Sequence, residues 1–247
     1  MADREFEDPR LAALYDPLDP DRSDLEVYAD IAREFGAQRV LDIGCGTGTF
    51  ACLLAERGFD GTGVDPAEAS LDVAQAKPYA DRVRWVHGDA TTVPDLQVDL
   101  AVMTANVAHV FLTDEEWLET LRAARRLVRP GGRLVFETRV PARRAWESWT
   151  REKTYGRAVV PGVGEVEYWN DVVEVQGDPD VPTAERPLLV TFHGGVVVKG
   201  ESLESDSTLR FRSREEIETS LAATGFAVED VRDAPDRPGY EWVFVCR

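Results

Sequence analysis

Short apolar segments alternate with helical patterns between about Arg39 and Glu137. This alternation is typical of parallel strands joined by crossover helices. Most of the apolar segments are hydrophobic at successive positions, which indicates a sheet covered by helices on both faces. The pattern therefore predicts a doubly wound α/β fold, with five strands in this part of the chain at Arg39–Ile43, Gly61–Val64, Arg82–Val86, Val98–Met103 and Arg133–Glu137.

The C-terminal part of the chain completes this sheet. Two predicted helices begin with a Ser/Thr-x-x-Glu capping box, at Thr113 with Glu116 and at Ser213 with Glu216. Two more strand-like segments follow the second helix, at 226–231 and 241–246. We expect both to rejoin the main sheet, which then has seven mostly parallel strands.

Residues 141–212 follow a different pattern. Period-two alternation predicts strands at 165–175 and 188–199, and the segment between them is rich in turn formers. We therefore predict a single domain with an antiparallel insertion. Its parts are an N-terminal helical segment at 1–38, the core at 39–139, the insertion at 140–212 and a closing helix with strands at 213–247.

Charge limits the partners that the chain can bind. The 247 residues include 46 acidic and 28 basic side chains, which gives a net charge of -18. Such a charge repels phosphate backbones and anionic lipid headgroups, so we expect no nucleic acid and no membrane as partner. The start MADREFEDPR lacks the apolar run of a secretory signal, and no run is long enough for a spanning helix. We expect a cytoplasmic protein that is a monomer or a homodimer.

The three cysteines do not suggest a metal site. Cys45, Cys52 and Cys246 show no Cys-x-x-Cys spacing and have no histidine cluster beside them. Disulfides are rare in a reducing compartment. We therefore expect neither a bound metal nor a structural disulfide.

The segment VLDIGCGTGTF, residues 40–50, is the most informative in the chain. An apolar strand runs directly into Gly44, Gly46 and Gly48 and then into a helix. Glycines let the backbone approach a ligand closely, and the helix start offers unpaired N–H donors. Dinucleotide-binding folds place the third glycine one residue later, where this chain has Thr49.

With Asp42 before the first glycine, the segment resembles the Asp-x-Gly-x-Gly-x-Gly signature of class I S-adenosylmethionine-dependent methyltransferases. The resemblance continues in order along the chain, through GTGVDP at 61–66, HGDAT at 87–91, VDLAVMTANVAHVF at 98–111 and LVRPGGRLVFE at 127–137. It implies a Rossmann-like sheet, S-adenosylmethionine as the cofactor and methyl transfer to a small-molecule acceptor.

The resemblance also implies which residues contact the cofactor. Asp65 is placed to accept hydrogen bonds from the ribose hydroxyls, although it could instead cap the next helix. Asp89 matches the acid that contacts the adenine amino group, although it could be a turn residue. Tyr15 matches a tyrosine that folds over the methionine part, although it could only pack. The full set implied is Tyr15, Asp42, Gly44, Cys45, Gly46, Gly48, Asp65, Pro66, Asp89, Ala90, Thr104 and Asn106.

The segment after the fourth predicted strand bears on the acceptor. Thr104-Ala105-Asn106-Val107 differs from the Asn/Asp-Pro-Pro-Tyr of enzymes that methylate adenine or glutamine amino groups. It also lacks a Pro-Cys pair and the acid cluster that holds magnesium in catechol-type enzymes. These absences favour a metal-independent enzyme for an oxygen, nitrogen or carbon nucleophile of a small molecule.

His109 is the candidate catalytic base, because it lies just past the fourth strand at the ligand-binding end of such sheets. It could instead be a structural hydrogen-bonding residue. We expect Glu137, at the end of the fifth strand, to line the pocket or contact a helix.

We expect the insertion to cover the acceptor pocket, because it leaves the sheet beside the cofactor and is rich in aromatic residues. Strand alternation places Tyr168 and Trp169 on opposite faces, so at most one of them faces the pocket. Alternatively, these side chains pack the extra strands onto the core or form a dimer contact.

Two other functions remain open at this point. One is a nicotinamide-dependent oxidoreductase on a Rossmann fold, which the glycine spacing disfavours. The other is a non-catalytic protein that keeps the methyltransferase fold for binding.

Overall fold

The computed structural model describes residues 2–247, in which helices flank the strands of two sheets. The helices are α1 (Arg4–Glu7), α2 (Pro9–Leu18), α3 (Leu25–Glu34), α4 (Thr49–Glu56), α5 (Glu68–Gln75), α6 (Asp114–Leu127), α7 (Arg151–Thr154) and α8 (Arg214–Ala223). Both predicted capping boxes are present, since Thr113 Oγ1 and Ser213 Oγ each accept a hydrogen bond from the backbone N–H three residues on, at 3.2 Å. No helix within residues 2–247 is both long enough and apolar enough to cross a membrane.

The strands divide into two groups. Seven belong to the main sheet: β1 (Arg39–Ile43), β2 (Asp60–Asp65), β3 (Val83–His87), β4 (Val98–Met103), β5 (Val128–Arg139), β10 (Val228–Asp233) and β11 (Glu241–Cys246). Four form a second sheet: β6 (Gly156–Val160), β7 (Gly164–Gln176), β8 (Leu188–Val198) and β9 (Glu201–Phe211).

The main sheet has the strand order β10-β11-β5-β4-β1-β2-β3. Strands β1 to β5 are parallel, whereas β11 runs antiparallel to both β5 and β10. The order reverses at β1, which pairs with β2 on one side and with β4 on the other. Open sheets of this kind bind ligands at the carboxyl ends of the strands beside such a reversal. The predicted seven-stranded, mostly parallel sheet is confirmed.

Two predicted strands, β5 and β10, begin two or more residues away from their predicted starts, whereas the other predicted starts lie within one residue of those observed. β5 begins at Val128 rather than Arg133, because Gly131 adopts a left-handed conformation (φ 81°) and an irregularity in the pairing with β4 lets the strand pass through the Pro-Gly-Gly turn. β10 begins at Val228, two residues later than predicted, since the N–H of Phe226 donates to the carbonyl oxygen of Leu221 at the end of α8.

Helices cover both faces of the main sheet, as the apolar strands predict. On one face, Leu41 and Phe136 pack with Trp117 and Leu121 of α6. On the other face, the core includes Tyr28 of α3 and residues Phe50, Leu100, Val102 and Val135. This two-sided burial fixes the carboxyl ends of the strands relative to one another.

The second sheet is antiparallel, with the order β6-β7-β8-β9. Two of its strands, β7 and β8, were predicted, and β6 and β9 were missed. β9 has the sequence ESLESDSTLRF, whose inward positions include Ser205 and Ser207, so its alternation is not one of apolar and polar residues.

One face of the second sheet packs toward the rest of the molecule. Val166 of β7 and Val160 of β6 lie in a cluster with Leu14 of α2. At the other end of the same face, Phe211 of β9 packs against Trp146 with ring centroids 4.7 Å apart. The second sheet is thereby attached both to the N-terminal helices and to the segment that follows β5.

Candidate functional site

The glycine loop between β1 and α4 requires glycine at two positions for steric reasons. Gly44 has φ 72°, and a Cβ there would lie 2.7 Å from the side chain of Val107. Gly48 has φ 75°, and a Cβ there would lie 2.5 Å from Trp85 and 2.6 Å from Ala74. These contacts hold the loop against the segment after β4 on one side and against β3 and α5 on the other.

Gly46 differs, because no atom lies within 4 Å of the position where its Cβ would be. The middle of the loop therefore presents an open edge of backbone at the carboxyl ends of the strands. Cys45 next to it is buried, and burial raises the pKa of its thiol well above the usual range. The thiol is therefore neutral, in line with a packing role for Cys45.

Asp42, at the end of β1, is buried without a partner. Its side chain is 1% exposed, and neither carboxylate oxygen has a hydrogen-bond partner within the described chain. Burial, with the neighbouring charge of Asp65, raises the pKa of Asp42 from 3.8 to about 7. A buried carboxylate with no donor is unfavourable by itself, so this position fits a ligand that brings a cation or N–H donors.

Asp65, at the end of β2, already organises the backbone around it. Its Oδ2 accepts a hydrogen bond from Gly46 N–H at 2.8 Å, and its Oδ1 accepts one from Ala67 N–H at 2.8 Å. A carboxylate has about four lone-pair sites, so each oxygen can accept a further hydrogen bond. Burial raises the pKa of Asp65. The residue is thus placed to accept hydroxyl groups of a ligand beside the open edge of the loop.

The segment after β3 contains Asp89, which is exposed. Its Oδ1 accepts hydrogen bonds from Thr91 N–H at 2.8 Å and from Thr91 Oγ1 at 2.5 Å. These contacts show that Asp89 stabilises a turn. Its predicted contact with adenine remains a proposal. Ala90 beside it is buried, and Pro66 after β2 is exposed.

The N-terminal helix α2 is tied to the glycine loop by a polar cluster that the sequence did not indicate. Asp16 accepts hydrogen bonds from Thr47 Oγ1 at 2.7 Å and from Thr49 Oγ1 at 3.2 Å. Lys77 pairs with Asp16 at 2.6 Å and donates to Thr49 Oγ1 at 2.7 Å. This cluster holds α2, and with it Tyr15, beside the loop.

A polar cavity of about 260 Å³ lies at the carboxyl ends of β4 and β5. Predicted residues Tyr15 and Asn106 line it, and Thr104 is buried at the end of β4. The complete lining is Tyr15, Asp19, Asp21, Arg22, Ser23, Asp24, Ala105, Asn106, Glu137, Arg139, Asp236, Arg237 and Glu241. The cavity thus joins the N-terminal segment, the main sheet and the loop before β11.

Glu137 is the deeply buried acid of this cavity. It accepts a hydrogen bond from the hydroxyl of Tyr28, and its Oε1 accepts one from Asn106 N–H at 2.9 Å. Burial and the neighbouring charge of Glu241 raise the pKa of Glu137 from 4.5 to about 7. The sequence suggested a pocket-lining or helix-contacting role for Glu137, and the structure shows both. Its contact with Tyr28 has no local signal, since 109 residues separate the two.

The surroundings of His109 favour the structural hydrogen-bonding role that the sequence left open beside that of a catalytic base. The side chain is 0% exposed, and its Nδ1 contacts the carbonyl oxygen of Arg210 at 2.8 Å. Its Nε2 accepts a hydrogen bond from Arg139 N–H at 2.9 Å. Burial, with the charge of Arg139, lowers the pKa of His109 from 6.5 to about 3. Both nitrogens therefore form hydrogen bonds within the protein. The neutral ring connects the loop after β4 to strands β5 and β9.

Tyr168 and Trp169 of β7 lie on opposite faces of the second sheet, as strand alternation requires. Tyr168 shares the face of Val166, which packs toward α2. Trp169 is buried on the other face, where the guanidinium of Arg151 lies 4.1 Å from its ring centroid. Tyr168 is therefore the one of the two on the inward side.

The three cysteines are free, and no group of three or more His, Cys, Asp or Glu residues within 2–247 is arranged to hold a metal ion.

The central part of the chain matches a known family. Residues 40–132 match a family model described as a methyltransferase domain. Similar curated proteins include putative methyltransferase YqeM of Bacillus subtilis (strain 168), 32% identical over 40% of this chain and 41% of that protein. Cypemycin N-terminal methyltransferase of a Streptomyces species is 32% identical over 48% of this chain and 49% of its own length. The chain thus spans less than half the length of these relatives.

Solved structures extend the likeness to nearly the whole chain. The CcbJ methyltransferase of Streptomyces caelestis superposes with a TM-score of 0.75 at 22% identity, over 96% of this chain and 95% of that one. CalS10, an amino pentose methyltransferase of Micromonospora echinaspora solved with S-adenosylmethionine bound, gives a TM-score of 0.63 at 23% identity, over 94% of each chain. At these identities the likeness is one of fold, and it confirms the predicted Rossmann-like architecture with its antiparallel insertion.

Proposed function

We propose that this chain, whose residues 40–132 are a methyltransferase domain on a class I fold, transfers a methyl group from S-adenosylmethionine to a small molecule. The observation that carries the proposal is the unpartnered carboxylate of Asp42 beside the open edge at Gly46. S-adenosylmethionine carries a positive sulfur, an ammonium group and a ribose diol. The first two supply the cation that Asp42 lacks, and the diol supplies the hydroxyls that Asp65 can accept.

The chain's own residues then have distinct tasks. The glycine loop lets the cofactor approach its backbone closely, and Asp65 orients the ribose. Asp89 and Ala90 border the adenine, while Tyr15 and α2 exclude water from the other side. When bound, the cofactor supplies an activated methyl group on a good leaving group. Much of the acceleration then comes from holding the nucleophile in line with that group in a dry pocket.

The acceptor site is the cavity at the ends of β4 and β5. Its volume of about 260 Å³ suits a small organic molecule rather than a polymer. The insertion at 140–212, whose inward face carries Tyr168, packs on α2 next to this site and sets substrate choice from there, although none of its residues lines the cavity. Names among the similar proteins include both nitrogen and oxygen methylation, as in the sugar N-methyltransferase KedS8 and a ubiquinone biosynthesis O-methyltransferase.

The partners and the cellular location proposed for this enzyme follow from its net charge. With a net charge of -18, the chain is suited to a small-molecule acceptor and to the cytoplasm, and poorly suited to nucleic acid or to an anionic membrane surface. It acts as a monomer or a homodimer.

Calorimetry tests the proposal directly. Titration with S-adenosylmethionine and with S-adenosylhomocysteine should each show one site per chain, and titration with NADH should show none. Incubation with labelled S-adenosylmethionine and fractionated cell metabolites then identifies the acceptor. Saturable binding of NADH without binding of S-adenosylmethionine would overturn the proposal in favour of an oxidoreductase.

A further inference from the structure

The cavity at the ends of β4 and β5 is rich in acids whose cationic partners are already engaged. It is lined by six carboxylates and three arginines. Arg22 pairs with Asp24 at 3.1 Å, and Arg237 pairs with Glu241 at 2.8 Å. Arg139 lies 3.5 Å from the same Glu241. Arg237 also pairs with Asp236 at 3.3 Å. The three arginines therefore pair with Asp24, Asp236 and Glu241, and with six acids to three arginines the cavity retains an excess of negative charge.

Glu137 is the buried carboxylate that this pairing leaves over. Its side chain is 6% exposed, and the hydrogen bonds that it accepts come from the neutral groups of Tyr28 and Asn106. Neutral donors orient a carboxylate without cancelling its charge. Arg139 and Arg237 are close enough to act on its charge, but neither forms an ion pair with it. A cation that entered the cavity would therefore find here an oriented carboxylate that no cationic side chain contacts.

Asn106 provides a second and independent indication. Its Nδ2 donates to Glu241 Oε1 at 3.1 Å and lies 3.4 Å from Glu137 Oε1, so the amide nitrogen must face the two carboxylates. The amide oxygen is then fixed on the other side, where it is buried and has no hydrogen-bond partner within the described chain. The residue is 5% exposed and lines the cavity. Asn106 Oδ1 therefore has no hydrogen-bond donor, and the carboxylate of Glu137 has no cationic side chain in contact with it.

An ammonium group satisfies both needs, because it carries one positive charge and three N–H donors. We infer that the methyl acceptor is an amine, and that Glu137 and Asn106 bind its nitrogen while Glu137 removes its proton. This inference rests on the methyltransferase function proposed above and names the class of its substrate.

The position in the sheet suits the reaction. β4 lies between β5, which carries Glu137, and β1, which carries Asp42. Adjacent strands are about 4.8 Å apart, so the two strand ends are separated by about 10 Å. Val107, in the loop that carries Asn106, also packs on Gly44 of the glycine loop. A nitrogen held by Glu137 and Asn106 therefore lies at the same edge of the sheet as a cofactor held at Asp42, two strands away.

The proton and electron pairs balance. The ionised carboxylate of Glu137 takes one proton from the ammonium nitrogen, which regains its lone pair. That lone pair forms the new nitrogen–carbon bond as the sulfur–carbon bond of the cofactor breaks, and the bonding pair stays on sulfur. The product is a methylated ammonium ion, and Glu137 then releases its proton to water. A carboxylate with its pKa raised to about 7 is a better base than an ordinary one, since general-base strength rises with pKa.

The probe for the experiment is methylammonium, the smallest primary alkylammonium. It tests binding of the charged nitrogen alone and requires no assumption about the rest of the substrate. Isotope-labelled protein is saturated with S-adenosylhomocysteine and titrated with methylammonium chloride, with potassium chloride as the ionic-strength control. We expect the side-chain amide resonances of Asn106 to shift and saturate with methylammonium and not with potassium. Absence of a saturable shift would overturn the inference.

Variants locate the site within the cavity. Glu137→Gln keeps the hydrogen-bond acceptor for Tyr28 and removes the charge, so the methylammonium affinity should fall by about tenfold or more. Glu174→Gln is the matched control, because Glu174 is exposed on β7 and does not line the cavity, and its affinity should be that of the wild type. If Glu137→Gln unfolds, Asn106→Ala provides the second test, with the backbone N–H retained and the methylammonium affinity again reduced. Equal affinity in the folded variant and the control would overturn the inference.

The same samples separate this inference from the proposed function. Calorimetric binding of S-adenosylhomocysteine without any methylammonium site leaves the methyltransferase function standing and rejects the amine. Failure to bind S-adenosylhomocysteine rejects the function itself. An acceptor found among cell metabolites that carries the new methyl group on oxygen or carbon would also reject the amine.

Discussion

Replacing Asp42 by Asn should make the stability of the ligand-free protein less dependent on pH. The pKa of Asp42 is raised from 3.8 to about 7 by burial and by the charge of Asp65. The folded protein therefore holds this proton more tightly than the unfolded chain does. The stabilisation that comes from binding this proton is complete below pH 3.8, declines as the pH rises, and is lost above about pH 7.

The magnitude follows from the two pKa values. A tenfold change in the ionisation constant corresponds to about 1.36 kcal/mol, so the loss of stability at alkaline pH approaches about 4 kcal/mol. Between about pH 5.5 and about pH 8.5, the ionisation of Asp42 should lower the free energy of unfolding by about 2 kcal/mol. Asn cannot ionise, so the variant lacks this contribution. Other groups with raised pKa values, such as Glu5 and Glu137, are common to both proteins and cancel.

The assay is urea denaturation of both proteins at the two pH values, without ligand. The uncharged amide also changes the free energy of unfolding by an amount that does not depend on pH. The informative quantity is therefore how the difference in free energy of unfolding between variant and wild type changes between the two pH values. We expect the variant to gain about 2 kcal/mol relative to the wild type as the pH rises over this range. A difference that is the same at both pH values would refute the argument that Asp42 is buried with its charge uncompensated.

Three further predictions concern other parts of the site. Asp65→Ala should lower S-adenosylmethionine affinity by about tenfold or more in calorimetry, because a buried charged acceptor is lost; unchanged affinity would remove the ribose assignment. Gly48→Ala should lower the free energy of unfolding by about 1 to 3 kcal/mol, since its Cβ meets Trp85 and Ala74; thermal unfolding measures this, and a cost near zero would show that the loop can move. His109→Ala should destabilise the fold by about 2 to 5 kcal/mol and leave the shape of the pH–rate profile unchanged; loss of an inflection would show that His109 titrates during turnover.

Local patterns predicted the main sheet and the glycine loop well. β1 and β4 begin and end at the predicted residues, because both strands are apolar throughout and are followed by clear breaks. The second sheet was only partly predictable. The serines of β9 face inward, and a strand whose inward positions are polar does not produce the usual alternation.

The chemistry of the acceptor cavity could not be predicted in the same way. Asn106, Glu137 and Glu241 meet across separations of 31 and 135 residues, and each alone resembles an ordinary polar residue at a strand end. His109 shows the converse. Its place after β4 suggested a base, but burial lowers its pKa, and its two nitrogens are engaged by backbone groups of Arg139 and Arg210, which lie on β5 and β9. Such roles depend on which strand ends lie side by side, which is a property of the folded chain.

The cluster of Asp16, Thr47, Thr49 and Lys77 couples the docking of α2 to the retention of any ligand bound between α2 and the glycine loop. α2 is docked through two threonines that belong to the glycine loop and the first turn of α4. A substitution that left α2 docked in only about a tenth of the molecules would raise the apparent dissociation constant of a ligand sealed beneath it about tenfold. No group in contact with the ligand would have changed. In this protein, affinity for a ligand bound at the glycine loop would therefore also measure how firmly α2 (Pro9–Leu18) is held.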